Sequence, residues 1–327
     1  MRILLVKLSS MGDVIHNLPV VSDLRRAFPN AIIDWVTESP YAALIGLHPD
    51  LNSVLSVHLR ALKKHWWQPA LWSQLTTDRA ALALHEYDAV IDTQGLLKSA
   101  VVASWAHGSR YGMSRETVRE PLATRFYDHK FWIDKNEHAV TRNRQLAAAA
   151  MGYKLNDKVD YGLSGKFSQT PRPEWSSNNR KIVFLHATSR TDKQWLLENW
   201  VTLGKQLQAL GFQLVLPWGS AAEKQTSEFL ATQLAHEMCP IVPPVLSLTE
   251  AAVMLADATA VIGVDTGLAH LAVALGRPTV GLYITTQPEF TGLFGAESAI
   301  NLRGGTCENS ANPSTGAVFA AIVPWIS

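Results

Sequence analysis

AVIGVDTGLAHLAVAL, residues 260–275, is the stretch that indicates the fold of this 327-residue chain. It opens with an apolar run typical of a buried strand, continues into the polar turn Asp265-Thr266-Gly267, and ends in apolar residues at helical spacing. His270 falls off the apolar stripe of this helix. A strand that leads through a glycine into a helix exposes N–H groups and the positive end of the helix dipole, which suit a phosphate. The alternative is that Asp265 and Thr266 only cap the helix.

The same strand, turn and helix open the chain. A buried-strand pattern at residues 2–7 leads through a small polar turn into a helix predicted over 14–28, with Asp13 at its N-cap. A second series starts with a strand at 181–186 and closes with a last central strand at 279–283. This alternation predicts parallel sheets covered on both faces. We therefore expect an α/β protein of two Rossmann-like, doubly wound domains facing a cleft, with ligands at the carboxyl ends of the strands.

The length also favours two domains of roughly 150 residues each. A polar stretch with two prolines at 156–179 is the expected crossover. We predict an N-terminal domain over 1–165, a C-terminal domain over 166–314, and a terminal helix within 315–327 that packs back on the N-terminal domain.

Composition argues against several classes of protein. A net charge of +1 provides no global basic field, which disfavours a nucleic-acid partner. Cys239 and Cys307 lie far apart and form no metal or redox spacing, which fits a reducing cytosol. The N-terminal apolar run is too short for a signal peptide, and no segment approaches the ~20 apolar residues of a membrane span.

Two basic regions stand out. In the helical pattern at 58–84, basic residues precede tryptophans, namely Arg60, Lys63, Lys64, Trp66, Trp67 and Trp72. This mixture suits a surface that meets anionic, partly lipidic material, although a solvated helix whose tryptophans pack on the domain is an alternative. The second region, 110–130, has no regular period and is typical of a binding loop, with plain surface solvation of its arginines as the alternative.

Familiar nucleotide-binding motifs are absent from the sequence. There is no G-x-G-x-x-G after the first strand and no G-x-x-x-x-G-K-[ST], which argues against dinucleotide oxidoreductases and phosphate-loop NTPases. There is also no Asp-x-Asp pair and no clustered His/Cys set. Binding of a diphosphate through a divalent metal is therefore disfavoured. We expect cationic side chains and helix N-termini to bind the diphosphate instead.

Six motifs together resemble the bacterial lipopolysaccharide heptosyltransferases. They are KLSSMGDVIHNLP (7–19), DTQGLLKSA (92–100), REPLA (119–123), HATSRTDKQW (186–195), LPWGS (216–220) and VDTGLAHLAVALGRP (264–278). The resemblance runs from residue 1 to about residue 290, and the order of the motifs makes it specific.

The resemblance implies the two-domain GT-B glycosyltransferase fold and an inverting, metal-independent reaction without a cofactor. The donor would be ADP-L-glycero-β-D-manno-heptose, and the acceptor the Kdo of Kdo2-lipid A. A monomer at the cytoplasmic face of the inner membrane, in peripheral contact with its anionic surface, is expected. Two alternatives stay open: an enzyme that adds the second heptose, and a non-catalytic protein that binds a sugar nucleotide or lipopolysaccharide on the same fold.

Carried over by position, the resemblance makes Asp13 the general base and Lys193 the cation that neutralises the departing diphosphate. The donor would contact Thr188, Ser189, Lys193, Glu223, Leu246, Asp265, Thr266, Gly267, Leu268 and His270. Glu223 would bind the ribose hydroxyls and Leu246 would line the adenine slot. Each has a plainer interpretation as well: Asp13 as a helix cap, Lys193 as a surface lysine, Ser220-x-x-Glu223 as a capping box, and His270 as a buried core histidine.

The acceptor's carboxylates and phosphates require several cations. Its expected contacts are Lys7, Ser10, Gly12, Arg60, Lys63, Lys64, Lys98, Arg119 and Glu120. One departure from the family lies at 284–288, where ITTQP replaces the usual Gly-Pro-Thr-Asp-Pro turn. The resemblance therefore does not extend to a contact between that loop and the donor. Because its carboxylate would repel a diphosphate, Asp265 is expected to cap the turn or to bind a sugar hydroxyl.

Overall fold

The computed structural model describes residues 1–165, 167, 180–188, 191–235, 238–304 and 312–326, with only the backbone at 62, 63 and 191. The chain divides into two compact units, Met1–Gly162 and Leu163–Ser327. The division falls three residues before the predicted boundary at 165/166. Ser189 lies outside the described residues, and so does the side chain of Lys63.

The first unit is built on a six-stranded sheet in which every pair of neighbours is parallel. Its strands are Arg2–Val6 (β1), Ile32–Glu38 (β2), Ser53–Val57 (β3), Glu86–Asp92 (β4), His107–Met113 (β5) and His129–Phe131 (β6), in the order β3-β2-β1-β4-β5-β6. Its helices are Met11–Ile15 (α1), Leu18–Ala27 (α2), Ser39–Ile45 (α3), Leu59–Lys64 (α4), Pro69–Leu82 (α5), Leu97–Ala103 (α6) and Ala139–Met151 (α7), with a 3₁₀ turn at Pro121–Phe126. Central strands such as β1 are buried on both faces, as parallel strands covered by helices require.

The second unit has a five-stranded parallel sheet. Its strands are Lys181–Leu185 (β7), Gln213–Val215 (β8), Ala260–Val264 (β9), Thr279–Tyr283 (β10) and Ala299–Arg303 (β11), in the order β11-β10-β9-β7-β8. Its helices are Leu197–Ala209 (α8), Ala221–Gln233 (α9), Leu248–Ala256 (α10), Gly267–Ala274 (α11), Pro288–Thr291 (α12) and Thr315–Ile322 (α13), with 3₁₀ turns at Thr191–Lys193 and Val323–Trp325. Two doubly wound parallel sheets confirm the predicted α/β class.

The first predicted helix is interrupted. Instead of one helix over 14–28, the chain forms α1 and α2, with Pro19 in the first turn of α2. Because proline has no N–H to donate to the preceding turn, a continuous helix would lose a hydrogen bond there. Helix α1 also starts early, so that Ser10 is its N-cap and Asp13 occupies the third helical position rather than the predicted cap.

Two edge regions also differ from the prediction. The segment 110–130 contains the end of β5 and the start of β6 rather than one irregular loop. Strand β10 is the last central strand, as predicted, but an unpredicted edge strand, β11, pairs with it in parallel. Both β5 and β11 carry exposed or half-buried residues, and such strands lack the apolar run by which buried strands are recognised.

The C-terminal helix belongs to the core of the second unit. Val318 and Ile322 of α13 are fully buried in that core, and α13 packs on α8 and β10. Trp195 donates to the carbonyl of Pro313 at 2.8 Å, which fixes the approach to this helix. These contacts place α13 within the second unit, and its expected packing on the first domain stays a prediction. The apolar face of α13 packs against the strands and helices that come before it in the second unit.

Candidate active site

Both sheets reverse their strand order next to a sequence motif. In the first unit the chain leaves β1 towards β2 on one side and later returns to place β4 on the other. In the second unit the same reversal lies between β7 and β9. Open α/β sheets bind ligands where the strand order reverses, outside the carboxyl ends of the strands.

Asp13 lies in the turn after β1 and is held by an arginine from a distant loop. Its two carboxylate oxygens accept from Arg119 at 3.1 and 3.3 Å, with side-chain exposures of 16% for Asp13 and 43% for Arg119. The backbone N–H and hydroxyl of Ser10 donate to Oδ2 at 3.2 and 3.3 Å. Asp13 therefore closes a capping box and also forms an ion pair, whereas Gly12 contributes only backbone to this turn.

Burial alone would raise the pKa of the Asp13 carboxyl, but the nearby charges of Lys7 and Arg119 and hydrogen bonds from Arg119 and Ser10 outweigh it. The net effect lowers its pKa. Asp13 is therefore ionised at neutral pH and able to accept a proton, although it is a weak base.

Lys7 lies beneath this turn and not at its surface. The residue is 4% exposed, and its ammonium donates to the carbonyl of Thr93 at 2.9 Å and to Asn143 Oδ1 at 3.3 Å. Burial lowers its pKa to about 8, against the opposing attraction of Asp13. A direct contact between Lys7 and an acceptor was expected. This geometry does not present the ammonium to an acceptor, because it is hydrogen-bonded inside the unit.

The turn after β4 is joined to the turn after β1. Gln94 Oε1 accepts from the backbone N–H of Leu8 at 2.6 Å, and Lys98 donates to Ser9 Oγ at 2.8 Å. Gly95 adopts φ 67°, and a Cβ there would lie 2.8 Å from Val118, so that only glycine fits without strain. Lys98 is thereby placed beside the turn that carries Asp13.

Two further side chains support this region. Glu120 Oε2 accepts from the backbone N–H of Leu97 at 2.6 Å and so stabilises the start of α6. Asp92 is buried and accepts from Ser99 Oγ at 2.8 Å and from Tyr127 Oη at 2.7 Å. Burial raises the pKa of the Asp92 carboxyl despite these bonds. Tyr127 was missed as a supporting residue because it lies in none of the motifs, and Gln94 lies within the motif 92–100 but had no role predicted for it.

Helices α4 and α5, with the turn between them, carry an exposed apolar surface. Trp66, Trp67 and Trp72, here called the tryptophan cluster, are 65%, 60% and 52% exposed. The alternative that these side chains pack on the domain is therefore wrong. Arg60 donates to Tyr41 Oη at 2.9 Å and Lys64 is exposed. Within the described part of the chain, no helix is long and apolar enough to cross a membrane.

In the second unit, the loops after β7 and β9 meet through one ion pair. Lys193 Nζ lies 2.6 Å from Asp265 Oδ2, and the two side chains are 17% and 16% exposed. Thr286 donates to the same Oδ2 at 2.9 Å, and His270 Nε2 lies 4.0 Å from Oδ1. Asp265 thus binds a cation and a hydroxyl. Thr286 belongs to the divergent loop, so this loop does reach the predicted site residues.

The start of α11 keeps the features expected of an anion site. Thr266 is the N-cap, but it makes no side-chain capping bond in the structure. Thr266, Gly267 and Leu268 are half-buried, so the amides of the first turn lie near the surface, where a helix has no internal partner for them. His270 is 7% exposed, as expected of a buried core histidine. It also lies beside Asp265, among the residues predicted to contact the donor.

A cavity of 380 Å³ lies between the loop after β7 and helix α9. Its lining includes Thr188, Trp195, Ser220 and Glu223. Glu223 Oε2 accepts from the backbone N–H of Gly219 at 2.7 Å and of Ser220 at 3.1 Å, so the capping box is real. A capping carboxylate at the rim of a cavity can still offer its second oxygen to a ligand. Leu246 is half-buried ahead of α10 and is not part of this lining.

Among the described residues, no group of three or more His, Cys, Asp or Glu side chains is placed to hold a metal ion. The charged groups that converge are instead the two ion pairs, Asp13–Arg119 and Lys193–Asp265.

Comparison with known proteins finds relatives over most of the chain. The family model described as glycosyltransferase family 9 (heptosyltransferase) matches residues 76–315. The chain is 41% identical over 302 residues to lipopolysaccharide heptosyltransferase 1 of Escherichia coli K12, covering 92% of this chain and 93% of that one. It is 24% identical over 306 residues to lipopolysaccharide heptosyltransferase 2 of the same strain, covering 89% and 85%.

Solved structures give the same result. The fold is similar to E. coli heptosyltransferase WaaC with ADP, with a TM-score of 0.91, 38% identity and coverage of 99% and 100%. For WaaC with ADP-2-deoxy-2-fluoro heptose, the TM-score is 0.88 at the same identity, with coverage of 98% and 99%.

Proposed function

This chain belongs to glycosyltransferase family 9, the heptosyltransferases, and on that premise we propose that it transfers the first heptose from ADP-heptose to the Kdo of Kdo2-lipid A. It is a glycosyltransferase of lipopolysaccharide inner-core synthesis with the GT-B fold. The observation that most supports the finer proposal is the 41% identity to a heptosyltransferase 1 over nearly the whole of both chains.

The donor binds the second unit in this proposal. Lys193, the hydroxyls of Thr188 and Ser189, and the first amides of α11 hold the diphosphate. Glu223 accepts from the ribose hydroxyls, Leu246 lines the adenine slot, and His270 reaches a phosphate or sugar oxygen. In the structure Lys193 is already directed to the start of α11 by its ion pair with Asp265. A diphosphate that replaces Asp265 as the partner of Lys193 leaves that carboxylate to accept from a sugar hydroxyl.

The acceptor binds the first unit. Its anionic groups are bound by Arg60, Lys63, Lys64, Lys98 and Arg119, beside Ser10, Gly12 and Glu120. Arg119 occupies both oxygens of Asp13 in the structure. Each carboxylate oxygen can accept two hydrogen bonds, so an acceptor hydroxyl can donate to Oδ1 beside Arg119 or take its place. A Kdo carboxylate that attracts Arg119 would release Asp13 as the hydroxyl arrives.

The chemical step follows from these positions. The acceptor hydroxyl attacks C1 of the heptose as its proton passes to Asp13, and the bond from C1 to the phosphate oxygen breaks with inversion. The transition state resembles an oxocarbenium ion, so the proton leaves late and a weak base in the right place is sufficient. Lys193 and the amides of α11 stabilise the charge on ADP, which leaves as the second product. They supply the positive charge that a divalent metal would otherwise bring, so no metal or other cofactor takes part.

The acceptor's acyl chains remain in the bilayer, and the first unit therefore works at the inner membrane. The exposed tryptophan cluster and the neighbouring Arg60 and Lys64 suit the interface of an anionic leaflet. We propose a monomer bound peripherally at the cytoplasmic face.

Replacing Asp13 with Asn tests the reaction directly. The amide keeps the size of the side chain but cannot take the proton, so turnover falls by about 10²–10⁴-fold, or roughly 3–5 kcal/mol of barrier. ADP release is measured with ADP-heptose and Kdo2-lipid A, and donor affinity by calorimetry should be unchanged. A wild-type rate for Asp13→Asn would end the assignment of the base.

The same assay separates the two enzyme alternatives. An enzyme that adds the second heptose would turn over monoheptosyl Kdo2-lipid A and not Kdo2-lipid A. A non-catalytic binding protein would bind ADP-heptose and release no ADP with either acceptor.

A further inference from the structure

His186 is the first residue after β7, and its side chain is fixed inside the second unit. It is 5% exposed, and its Nε2 lies 2.8 Å from the hydroxyl of Ser227, which is completely buried on α9. Burial lowers the pKa of His186 to about 4. The imidazole is therefore neutral at physiological pH and makes a hydrogen bond without adding a charge near Lys193.

This hydrogen bond joins the two elements that border the 380 Å³ cavity. On one side it holds the start of the loop that carries Thr188 and Lys193. On the other side it holds α9 at Ser227, four residues after Glu223 and therefore on the same face of the helix. His186, Thr188 and Glu223 all line the cavity. The bond thus fixes the distance between groups assigned to the diphosphate and the group assigned to the ribose.

We propose that His186 is a positioning residue for the nucleotide, which holds the loop after β7 and helix α9 at the separation that the nucleoside diphosphate spans. This inference rests on the proposed donor site. It assigns no contact between His186 and the reacting atoms. Without the bond, the loop and the helix are free to separate, and the nucleotide has to order them when it binds, which weakens affinity.

The first unit offers a matched comparison. His48 is also buried, at 2% exposure, and its Nε2 lies 3.2 Å from the hydroxyl of Ser22. The same kind of histidine–serine pair therefore occurs in the first unit, to which no residue of the proposed nucleotide site belongs. Ile322, fully buried in the core of the second unit, provides a second control, because its truncation destabilises that unit without touching the cavity.

The experiment measures ADP affinity by calorimetry, together with melting temperature, on the full chain. His186→Leu and Ser227→Ala should each weaken ADP binding about tenfold. The double variant should be no weaker than either, because both remove one shared hydrogen bond. His186→Gln keeps an amide that can donate or accept near the position of Nε2, and it should recover most of the affinity. His48→Leu and Ile322→Ala should lower the melting temperature and leave ADP affinity unchanged.

Two results would overturn the assignment of His186. One is wild-type ADP affinity in Ser227→Ala, a small truncation expected to fold. The other is an affinity that follows melting temperature across all variants, controls included, since that would mean His186 is only structural. If the unaltered chain did not bind ADP at all, the proposed donor would fail instead. The KM values should show the same selectivity, with that for ADP-heptose raised and that for the acceptor unchanged.

Discussion

The buried ammonium of Lys7 predicts how the stability of the protein depends on pH. In the folded chain its pKa is lowered from 10.5 to about 8 by burial. The unfolded chain holds this proton up to the ordinary pKa, so between about pH 8 and 10.5 the unfolded state binds more protons than the folded one. The free energy of unfolding must therefore rise with pH in that interval, because the cost of a buried charge disappears as the proton leaves.

The size of the effect follows from the pKa. One pKa unit corresponds to about 1.36 kcal/mol, so raising the pH from 7 to 9 should add about 1.3 kcal/mol from Lys7 alone. Other groups titrate as well. Their contribution cancels when the unfolding free energy of the Lys7→Met variant is subtracted from that of the unaltered chain. Methionine has a similar length, lacks the charge and tolerates burial.

Urea denaturation of both proteins at pH 7, 8 and 9 provides the measurement. The unfolding free energy of the unaltered chain, minus that of Lys7→Met, should increase by about 1.3 kcal/mol from pH 7 to 9. A difference that stays constant with pH would show that Lys7 is not the buried ammonium described here. Because Lys7 also helps to lower the pKa of Asp13, the acidic limb of the rate profile should move to higher pH in Lys7→Met.

Three further outcomes are expected. Lys193→Ala should raise the KM for ADP-heptose and lower kcat by about 10²–10³-fold. The control, Lys205→Ala at an exposed site on α8, should change neither value. An unchanged kcat in Lys193→Ala would remove the role of Lys193 at the leaving group. Changing the three residues of the tryptophan cluster to serine should reduce sedimentation of the protein with vesicles containing anionic lipid. Trp132→Ser, at a residue that is 66% exposed, is the control. An equal loss of vesicle binding in Trp132→Ser would contradict the assignment of the tryptophan cluster as the membrane-binding surface. Ile322→Ala should lower the free energy of unfolding by about 2–5 kcal/mol. The same change at the exposed Ile32 should lower it by roughly 0.5 kcal/mol or less. Similar losses of stability in the two variants would contradict the packing of α13.

Much of the fold could be predicted because its signals are local. The apolar run and glycine turn at 260–267 became β9 and the start of α11, since a buried strand and a helix start are each encoded by adjacent residues. The capping box at Ser220 and Glu223 formed as its spacing predicted. Prediction failed where the signal was weak, as at the half-buried edge strand β11, or where one proline outweighed a long helical pattern, as between α1 and α2.

The sequence by itself determined the family, the alternation of strands and helices, and the residue types at the two strand-order reversals. Only the tertiary structure decided which charges meet. Arg119 pairs with Asp13 across 106 positions, and Lys193 pairs with Asp265 across 72. It also decided that Lys7 is buried and that Thr286 reaches Asp265. The reason is physical: a strand's own residues specify its burial, whereas its neighbours follow from the order of the whole sheet, and that order brings distant loops together at one edge.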